Sequence, residues 1–276
     1  MLGAAYSLLG SRADAEDVVQ ESWLRWSRVD RAAVREPRAY LLRTVTRQAL
    51  NRLRAERTRR ETYVGPWLPE PLVSDEDPAR RITDRAEHAE QLTMAMLVVL
   101  EALSPEERCA FILREVFGIG YGEIASTLDR SEAAVRQIVH RAREHVRTRR
   151  PRFEADGETQ RRVTRAFVAA SLSGDTSALL ALLAPDAVAL SDGGGIVTAA
   201  INPIRGAGRV ARFMAGIGTR ASGERFSSAY VNGVFGAVGE RDGRVTTVGV
   251  LDIVDGLVAG VYVIVNPDKL RHVRPG

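Results

Sequence analysis

Arg43, Arg47, Asn51 and Arg54 recur at three- and four-residue spacing, so on a helix they would form one polar stripe. Guanidinium groups neutralise phosphate, pair bidentately with guanine and stack on unpaired bases. A second set, Arg136, Gln137, His140 and Arg141, falls on the outward side of a segment patterned as the second helix of a helix-turn-helix. Phosphate contacts would supply most of the affinity of such a helix, and two or three side chains its base selectivity. A third set, Asp17, Gln20, Glu21 and Leu24, lines one side of an earlier amphipathic segment. Each set has a plain alternative, a solvated helix face. Charge distribution weighs against that alternative for the two basic sets. Residues 35–60 carry nine arginines against Glu36 and Glu56, and residues 134–152 carry seven against Glu144. Between them, residues 61–107 carry eleven acids against Arg80, Arg81 and Arg85. Two basic blocks with an acidic one between them suggest two phosphate-facing surfaces joined by an arm.

The elements that would position these residues are mostly helical. Asp14 to Trp26 reads as a helix opened by acids, with Ala15, Val18, Val19, Trp23 and Trp26 on a broad apolar face. Pro37 opens a second helix with Leu42, Val45, Ala49 and Leu53 inward, ending before Gly65 and Pro66. A third helical zone runs from about Ile82 to Ala102. Ser104, Pro105, Glu106 and Glu107 start another helix that reaches about Phe117 and stops at Gly118. Tyr121 to Asp129 and the helix capped by Ser131 make the helix-turn-helix, with Ile124, Ala125, Leu128, Val135 and Ile138 inward.

Between the two helical regions stands GPWLPEPL, Gly65 to Leu72. Flexible linkers are Gly/Ser-rich, so Trp67, Leu68 and Leu72 are out of place in one. Pro66, Pro69 and Pro71 stiffen the segment, which lowers the entropy lost on docking. Trp67 is the expected anchor and Glu70 a candidate polar partner.

Beyond Pro151 the pattern becomes α+β over about 120 residues. Helices are expected at Glu158–Leu172 and Thr176–Leu183, and another at GAGRVARFMAGI. Strands are expected in DAVALS, IVTAA, RFSSAYVNG, VFGAVGE, RVTTVGVLDIV and GLVAGVYVIV, joined as antiparallel hairpins. Asp192, Gly193, Gly194 and Gly195 could be only a hairpin turn, and Asn266, Pro267, Asp268 and Lys269 only an Asn-Pro turn.

The chain has 276 residues, enough for two or three modest domains. No apolar run reaches the roughly 18 residues that span a bilayer. The start lacks a basic n-region, so no signal peptide is expected. One cysteine, Cys109, excludes an internal disulfide, and four scattered histidines lack metal-ligand spacing. A cytoplasmic protein with no structural metal and no cofactor is expected. Lys269 is the only lysine, and the arginine bias suits a high-GC bacterium. Asp186, Asp192 and Asp252 are acid/base candidates in the C-terminal region, but its only histidine, His272, lies in the tail. A binding or regulatory module is favoured there over an enzyme.

Taken in order, these motifs resemble an extracytoplasmic function sigma factor of bacterial RNA polymerase. DAEDVVQESWLRW (14–26) resembles the helix that grips the polymerase clamp coiled coil. PRAYLLRTVTRQALNRLR (37–54) resembles the helix that melts and reads the −10 element, and residues 121–148 resemble the domain that reads the −35 element. GPWLPEPL, SDGGG (191–195) and NPDKLRHV (266–273) together resemble the subgroup with a fused SnoaL-like (NTF2-like) extension. The resemblance implies a helical polymerase- and −10-binding domain (1–62), a proline-rich linker (63–81), a helix-turn-helix domain (82–150) and a regulatory cone-shaped α+β domain (153–276). It implies that Asp17, Gln20, Glu21 and Leu24 face core polymerase, that Arg43, Arg47, Asn51 and Arg54 face −10 DNA, and that Arg136, Gln137, His140 and Arg141 face −35 DNA. It implies no catalysis by the factor and control in cis, with no separate anti-sigma factor required; a small-molecule ligand of the cone stays open. Three surfaces remain for Trp67: the C-terminal domain, the polymerase, or its own N-terminal domain. A ligand-sensing DNA-binding regulator and an enzyme fused to a DNA-binding module remain the alternatives.

Overall fold

The computed structural model describes residues 1–77, 92–149, 155–221 and 223–274, leaving aside the side chains of 33, 57–61 and 149. Met1–Thr62, Thr83–Leu92 and Met96–Pro151 form one compact unit; Tyr63–Ile82, Thr93–Ala95 and Arg152–Gly276 form the other.

The first unit is helical. α1 (Leu2–Leu9) ends at Gly10, whose φ of 67° is left-handed. Ser11 then accepts a hydrogen bond from the Asp14 amide and caps α2 (Arg12–Trp26), which begins two residues earlier than its acids suggest. α2 packs on α1 and on α3 (Pro37–Glu61) through Ala15, Val18, Ser22 and Trp26. That stripe is narrower than the sequence suggests: Trp23, expected inward, points out and is 54% exposed. Val45, Ala49 and Leu53 form the buried side of α3.

The helical zone expected from Ile82 lies in part outside the described residues; its described helix is α4 (Met94–Leu100). α5 (Pro105–Phe111) starts with a full capping box between Ser104 and Glu107. It continues as a π-helical turn, Ile112–Val116, where the sequence suggests regular helix. α6 (Tyr121–Leu128) ends at Asp129, whose φ of 55° supplies the tight turn, and α7 (Glu132–Arg149) follows. Arg108, 2% exposed, ion-pairs with Glu101 and donates to the Ser7 carbonyl of α1 at 3.3 Å, tying the two helical segments together. Burial pushes the neighbouring Cys109 thiol up to about 12, so it acts as a small apolar side chain.

In the second unit α8 (Gly157–Ser173) and α9 (Thr176–Leu182) are capped by Asp156 and Asp175. β2 (Leu183–Asp192), β3 (Ile204–Arg205) and α10 (Ala207–Arg220) follow, then β4 (Arg225–Val231), β5 (Val234–Arg241), β6 (Arg244–Val254), β7 (Leu257–Ile264) and α11 (Pro267–Leu270). The α+β character expected of this region is what the structure has. β4 to β7 form successive hairpins through Asn232-Gly233, Asp242-Gly243 and Asp255-Gly256, all at positive φ as two-residue turns of this kind require. Three features were not expected. β2 runs parallel to β7. Val73–Ser74, in the segment read as a linker, forms β1 and adds an edge strand to β4, giving the order β1-β4-β5-β6-β7-β2-β3. IVTAA, read as a strand, is a loop. There the amides of Ile196 and Val197 both turn back onto the Gly193 carbonyl and carry the chain off the sheet.

Phe167 of α8, Leu179 of α9, Met214 of α10 and Val261 and Val263 of β7 share one apolar core. α8 and α10 cross so closely that a Cβ at Gly218 would lie 2.0 Å from the Ser171 carbonyl. Gly218→Ala should therefore cost about 1–3 kcal/mol of stability, read as a lower denaturant midpoint. An unchanged midpoint would show that the two helices can separate freely.

Candidate functional site

Asp17, Gln20, Glu21 and Leu24 are all exposed on α2. Arg52 of α3 reaches across to bond Asp14 at 2.9 Å and Asp17 at 3.2 Å, which fixes the acidic edge of this face. Trp23 joins Leu24 on the outside, leaving two large apolar side chains exposed beside these acids. The helical pattern of α2 hid Trp23, because both apolar stripes fit a 3.6-residue period.

The arginine stripe of α3 meets α5 and α6 within the same unit. Arg47 donates to the carbonyls of Ser126 and Thr127, at 2.7 and 3.0 Å. Those carbonyls belong to the last turn of α6, where acceptors lack helical partners and the dipole attracts cations. Arg54 pairs with Glu106 at 2.8 Å, and Arg130 shares the same carboxylate at 3.1 Å. Asn51 is exposed, while the buried Nε of Arg43 has no hydrogen-bond partner among the described residues.

On α7, Arg136, Gln137, His140 and Arg141 are exposed together. Arg136 pairs with Glu132 one turn earlier and lies 4.4 Å from the centre of the Tyr121 ring. Arg141 is 3.6 Å from Glu107. Burial works against ionisation of Glu107, but the Ser104 hydroxyl and amide and the nearby Arg141 outweigh it and hold the carboxyl below its ordinary value. Tyr121 was not visible as a functional residue, since nothing in its position distinguishes a platform from a core tyrosine.

The second unit brings GPWLPEPL, SDGGG and NPDKL together. Asp192 is fully buried at the end of β2 and accepts four hydrogen bonds. One oxygen takes the Tyr63 hydroxyl at 2.6 Å and the Gly194 amide at 3.1 Å; the other takes the Leu68 amide at 2.8 Å and Lys269 Nζ at 2.7 Å. Lys269 also donates to the Leu68 carbonyl and sits 4.0 Å from the centre of the Trp67 ring. Asn266 donates to the Tyr63 hydroxyl at 2.9 Å and its side chain caps α11 through the Asp268 amide. Burial, then the bond to Asp192, raise the pKa of Tyr63 and keep its hydroxyl a donor.

Further along, the His272 ring meets the Pro71 carbonyl at 2.8 Å, and Asn232 exchanges two bonds with Leu72, at 2.9 and 3.2 Å. Leu68 is completely buried and Pro69 and Pro71 are buried beside it, whereas Trp67 and Glu70 are only half-buried. The apolar anchor is therefore Leu68 rather than Trp67, which instead covers the buried ammonium. The glycines are steric necessities: a Cβ at Gly193 would lie 2.4 Å from the Val197 carbonyl, and one at Gly194 would lie 2.3 Å from Asn266 Nδ2.

Two family models match the chain, Sigma-70 region 2 over residues 1–59 and Sigma-70 region 4 over residues 93–146. The ECF RNA polymerase sigma factor SigJ of Mycobacterium tuberculosis is 36% identical over 280 residues, covering 98% of this chain and 89% of that protein. The chain belongs to the extracytoplasmic function RNA polymerase sigma factors. The crystal structure of the M. tuberculosis sigma factor SigJ superposes with a TM-score of 0.78 over 98% of this chain and 94% of that one. A probable sigma factor of the same organism, SigI, is 34% identical over 188 residues, covering 67% of this chain and 63% of its own length. The protein thus directs bacterial RNA polymerase to promoters, and its partners are core polymerase and promoter DNA. No helix among the described residues of this sigma factor is long and apolar enough to cross a membrane.

Asp192→Asn should leave Lys269 buried without its anion, at a cost of about 3–5 kcal/mol. Hydrogen exchange should accelerate across residues 63–72 and stay unchanged in α2 and α3. Equal exchange across 63–72 in both proteins would remove Asp192 as the keystone of the seat. Arg136→Ala tests whether the exposed face of α7 meets DNA: promoter binding, titrated at fixed salt, should weaken by about 1–3 kcal/mol if the side chain reads a base, and unchanged binding would remove Arg136 from the interface. A uniform loss over all sequences, with a shallower salt dependence, would reassign it to phosphate.

Proposed function

We propose that this sigma factor is controlled in cis by the seating of its linker on the C-terminal unit. The observation that carries the reading is the buried Asp192, which takes the Leu68 amide, the Tyr63 hydroxyl and Lys269 together. A chain that only had to connect two DNA-binding regions would not need its backbone bonded inside another fold. Holding the linker restricts the separation that its two ends can reach, and so restricts the spacing at which the helical regions address a promoter. Release is a population shift, and whatever favours it must contact the two states differently.

Within this reading residues 1–62 bind the polymerase clamp through Asp17, Gln20, Glu21 and Leu24 and the −10 element through Arg43, Arg47, Asn51 and Arg54. Residues 82–150 bind the −35 element through Arg136, Gln137, His140 and Arg141. Residues 63–81 serve as the controlled linker, and residues 153–276 form the SnoaL-like regulator. The factor acts in the cytoplasm without catalysis of its own and without a separate anti-sigma factor. The contacts of Arg47 with Ser126 and Thr127 and of Arg54 with Glu106 support a resting arrangement in which half of the −10 stripe is engaged internally.

In vitro transcription with purified core polymerase tests the control. Asp192→Asn, which loosens the seat, should raise transcript yield several-fold at subsaturating factor. Unchanged yield alongside faster linker exchange would take the seat out of regulation. A lower yield would make the seated linker the active form.

A further inference from the structure

The sheet of the second unit and its helices α8 and α10 line a half-open cavity of about 600 Å³. That volume falls in the range of about 300–1,000 Å³ typical of small-molecule sites. Phe167, Phe213, Met214, Leu251 and Val263 supply much of its apolar wall. Gly249 of β6 also lines it, and a Cβ there would meet nothing within 4 Å. A strand position facing a core normally carries a side chain that fills the space; here the space is kept.

The charged groups lining the cavity are Arg220 at the end of α10, Glu224, and Arg241 at the end of β5. Glu224 lies 3.5 Å from Arg241 and accepts from Thr247 at 3.3 Å. Two guanidiniums against one carboxylate leave this lining with a net positive charge.

Thr198, Ala199 and Ala200 complete the wall, from the loop that the sequence pattern suggests as a strand. The same loop is part of the linker seat. A Cβ at Gly65 would lie 3.5 Å from Ile201 Cα and 3.7 Å from the Ala200 carbonyl, and one at Gly195 would lie 3.1 Å from Val64 Cβ. Within the loop a Cβ at Gly193 would lie 2.4 Å from the Val197 carbonyl, so its own turn is tightly packed.

We propose that this cavity binds an apolar molecule with one anionic end, and that its occupancy loosens the linker. The anion sits between Arg220 and Arg241, the apolar body lies against Phe167, Phe213 and Met214, and pressure on Thr198 to Ala200 is passed to Val64 and Gly65. The binding half stands by itself; the linker half rests on the cis-control reading and deepens it.

The probes are 1-anilinonaphthalene-8-sulfonate, an apolar anion, and its neutral relative N-phenyl-1-naphthylamine, titrated by fluorescence against the full chain. Saturable binding of both is expected. Gly249→Phe, which fills the cavity, should weaken both at least tenfold while thermal unfolding stays cooperative. Ala237→Leu, on the neighbouring strand of the wall, gives a second filled variant should Gly249→Phe not fold. Arg220→Gln combined with Arg241→Gln should weaken the sulfonate at least fivefold and spare the neutral dye. Equal sulfonate binding by native and filled proteins would overturn the site, and equal loss of both dyes in the arginine variant would overturn the anionic end. With the sulfonate at saturation, exchange across residues 63–72 should quicken at least threefold in the native chain and not in Gly249→Phe. Unchanged or slower exchange would overturn the coupling while leaving the site standing. Because none of these readouts is transcription, failure here is distinguishable from failure of the cis-control reading.

Discussion

The second unit is organised around one buried ion pair. Asp192 and Lys269 have side chains 0% and 8% exposed, and taking two such charges out of water is costly unless every remaining lone pair and proton is matched. The matching groups come from three distant parts of the sequence. Asp192 is completed by the Tyr63 hydroxyl and the Leu68 amide of the linker and by the Gly194 amide of its own turn. Lys269 is completed by the Leu68 carbonyl and the Trp67 ring. The pair is therefore well solvated by protein only while the linker is present. Withdraw the linker, and the carboxylate loses two of its four hydrogen bonds while the ammonium loses the Leu68 carbonyl and the Trp67 ring. This coupling makes the linker a structural member of the C-terminal unit.

That requirement propagates into the sheet. The Asp192 carbonyl accepts from the amides of both Val265 and Asn266, so the chain leaves β7 at the position that presents Asn266 and Lys269 to the linker. The parallel pairing of β2 with β7 sets this register, matching Asp192 with Ile264. The glycine run follows from the same geometry, because side chains at 193 or 194 would occupy the space of the Val197 carbonyl and of Asn266. Asn232 extends the seat at the far end: its left-handed turn, φ 49°, leaves its side chain and amide both facing Leu72, and the linker continues as β1.

Much of the helical unit was legible because its signals are local. Caps such as Ser104 and the inward stripe of α3 depend on neighbours within a turn. The hairpins of β4 to β7 were legible for the same reason, through turn pairs such as Asp242-Gly243. What escaped were features decided across the fold. Trp23 sits beside a genuine apolar stripe and only the packing of α1 and α3 shows which side is inside. IVTAA has strand composition, but its amides are drawn to the Gly193 carbonyl. In GPWLPEPL the most conspicuous residue drew attention to Trp67, while the buried groups are Leu68 and its backbone. Tyr63, just outside that stretch, carries no sign of its partner Asp192, 129 residues away. The one available clue was that Lys269 is the only lysine in a chain of arginines. An ammonium on a flexible stem fits a buried point contact with a carboxylate and a carbonyl, where a planar guanidinium would need a wider space.

The two classes of contact in this sigma factor differ in strength, and the difference fits a switch. Arg54 and Arg130 share Glu106 with side chains 50% and 48% exposed, where ion pairs are worth about 0–1 kcal/mol and are weakened by salt. Such contacts yield readily to a polyanion, whose phosphates offer the same guanidiniums many acceptors at once. The seat around Asp192 is dry and saturated with hydrogen bonds, so neither salt nor DNA competes for it directly. On the cis-control proposal, a signal that acts on the linker would have to change the wall behind it. The loop from Gly193 to Ile201 is the part of that wall which faces both the seat and the cavity. Its replacement of a strand by three glycines and a turn leaves it without sheet hydrogen bonds between residues 193 and 200. That stretch of backbone, held by the Gly193 carbonyl and by Asp192 rather than by a neighbouring strand, therefore lies between the buried charge pair and the space kept open beside Gly249.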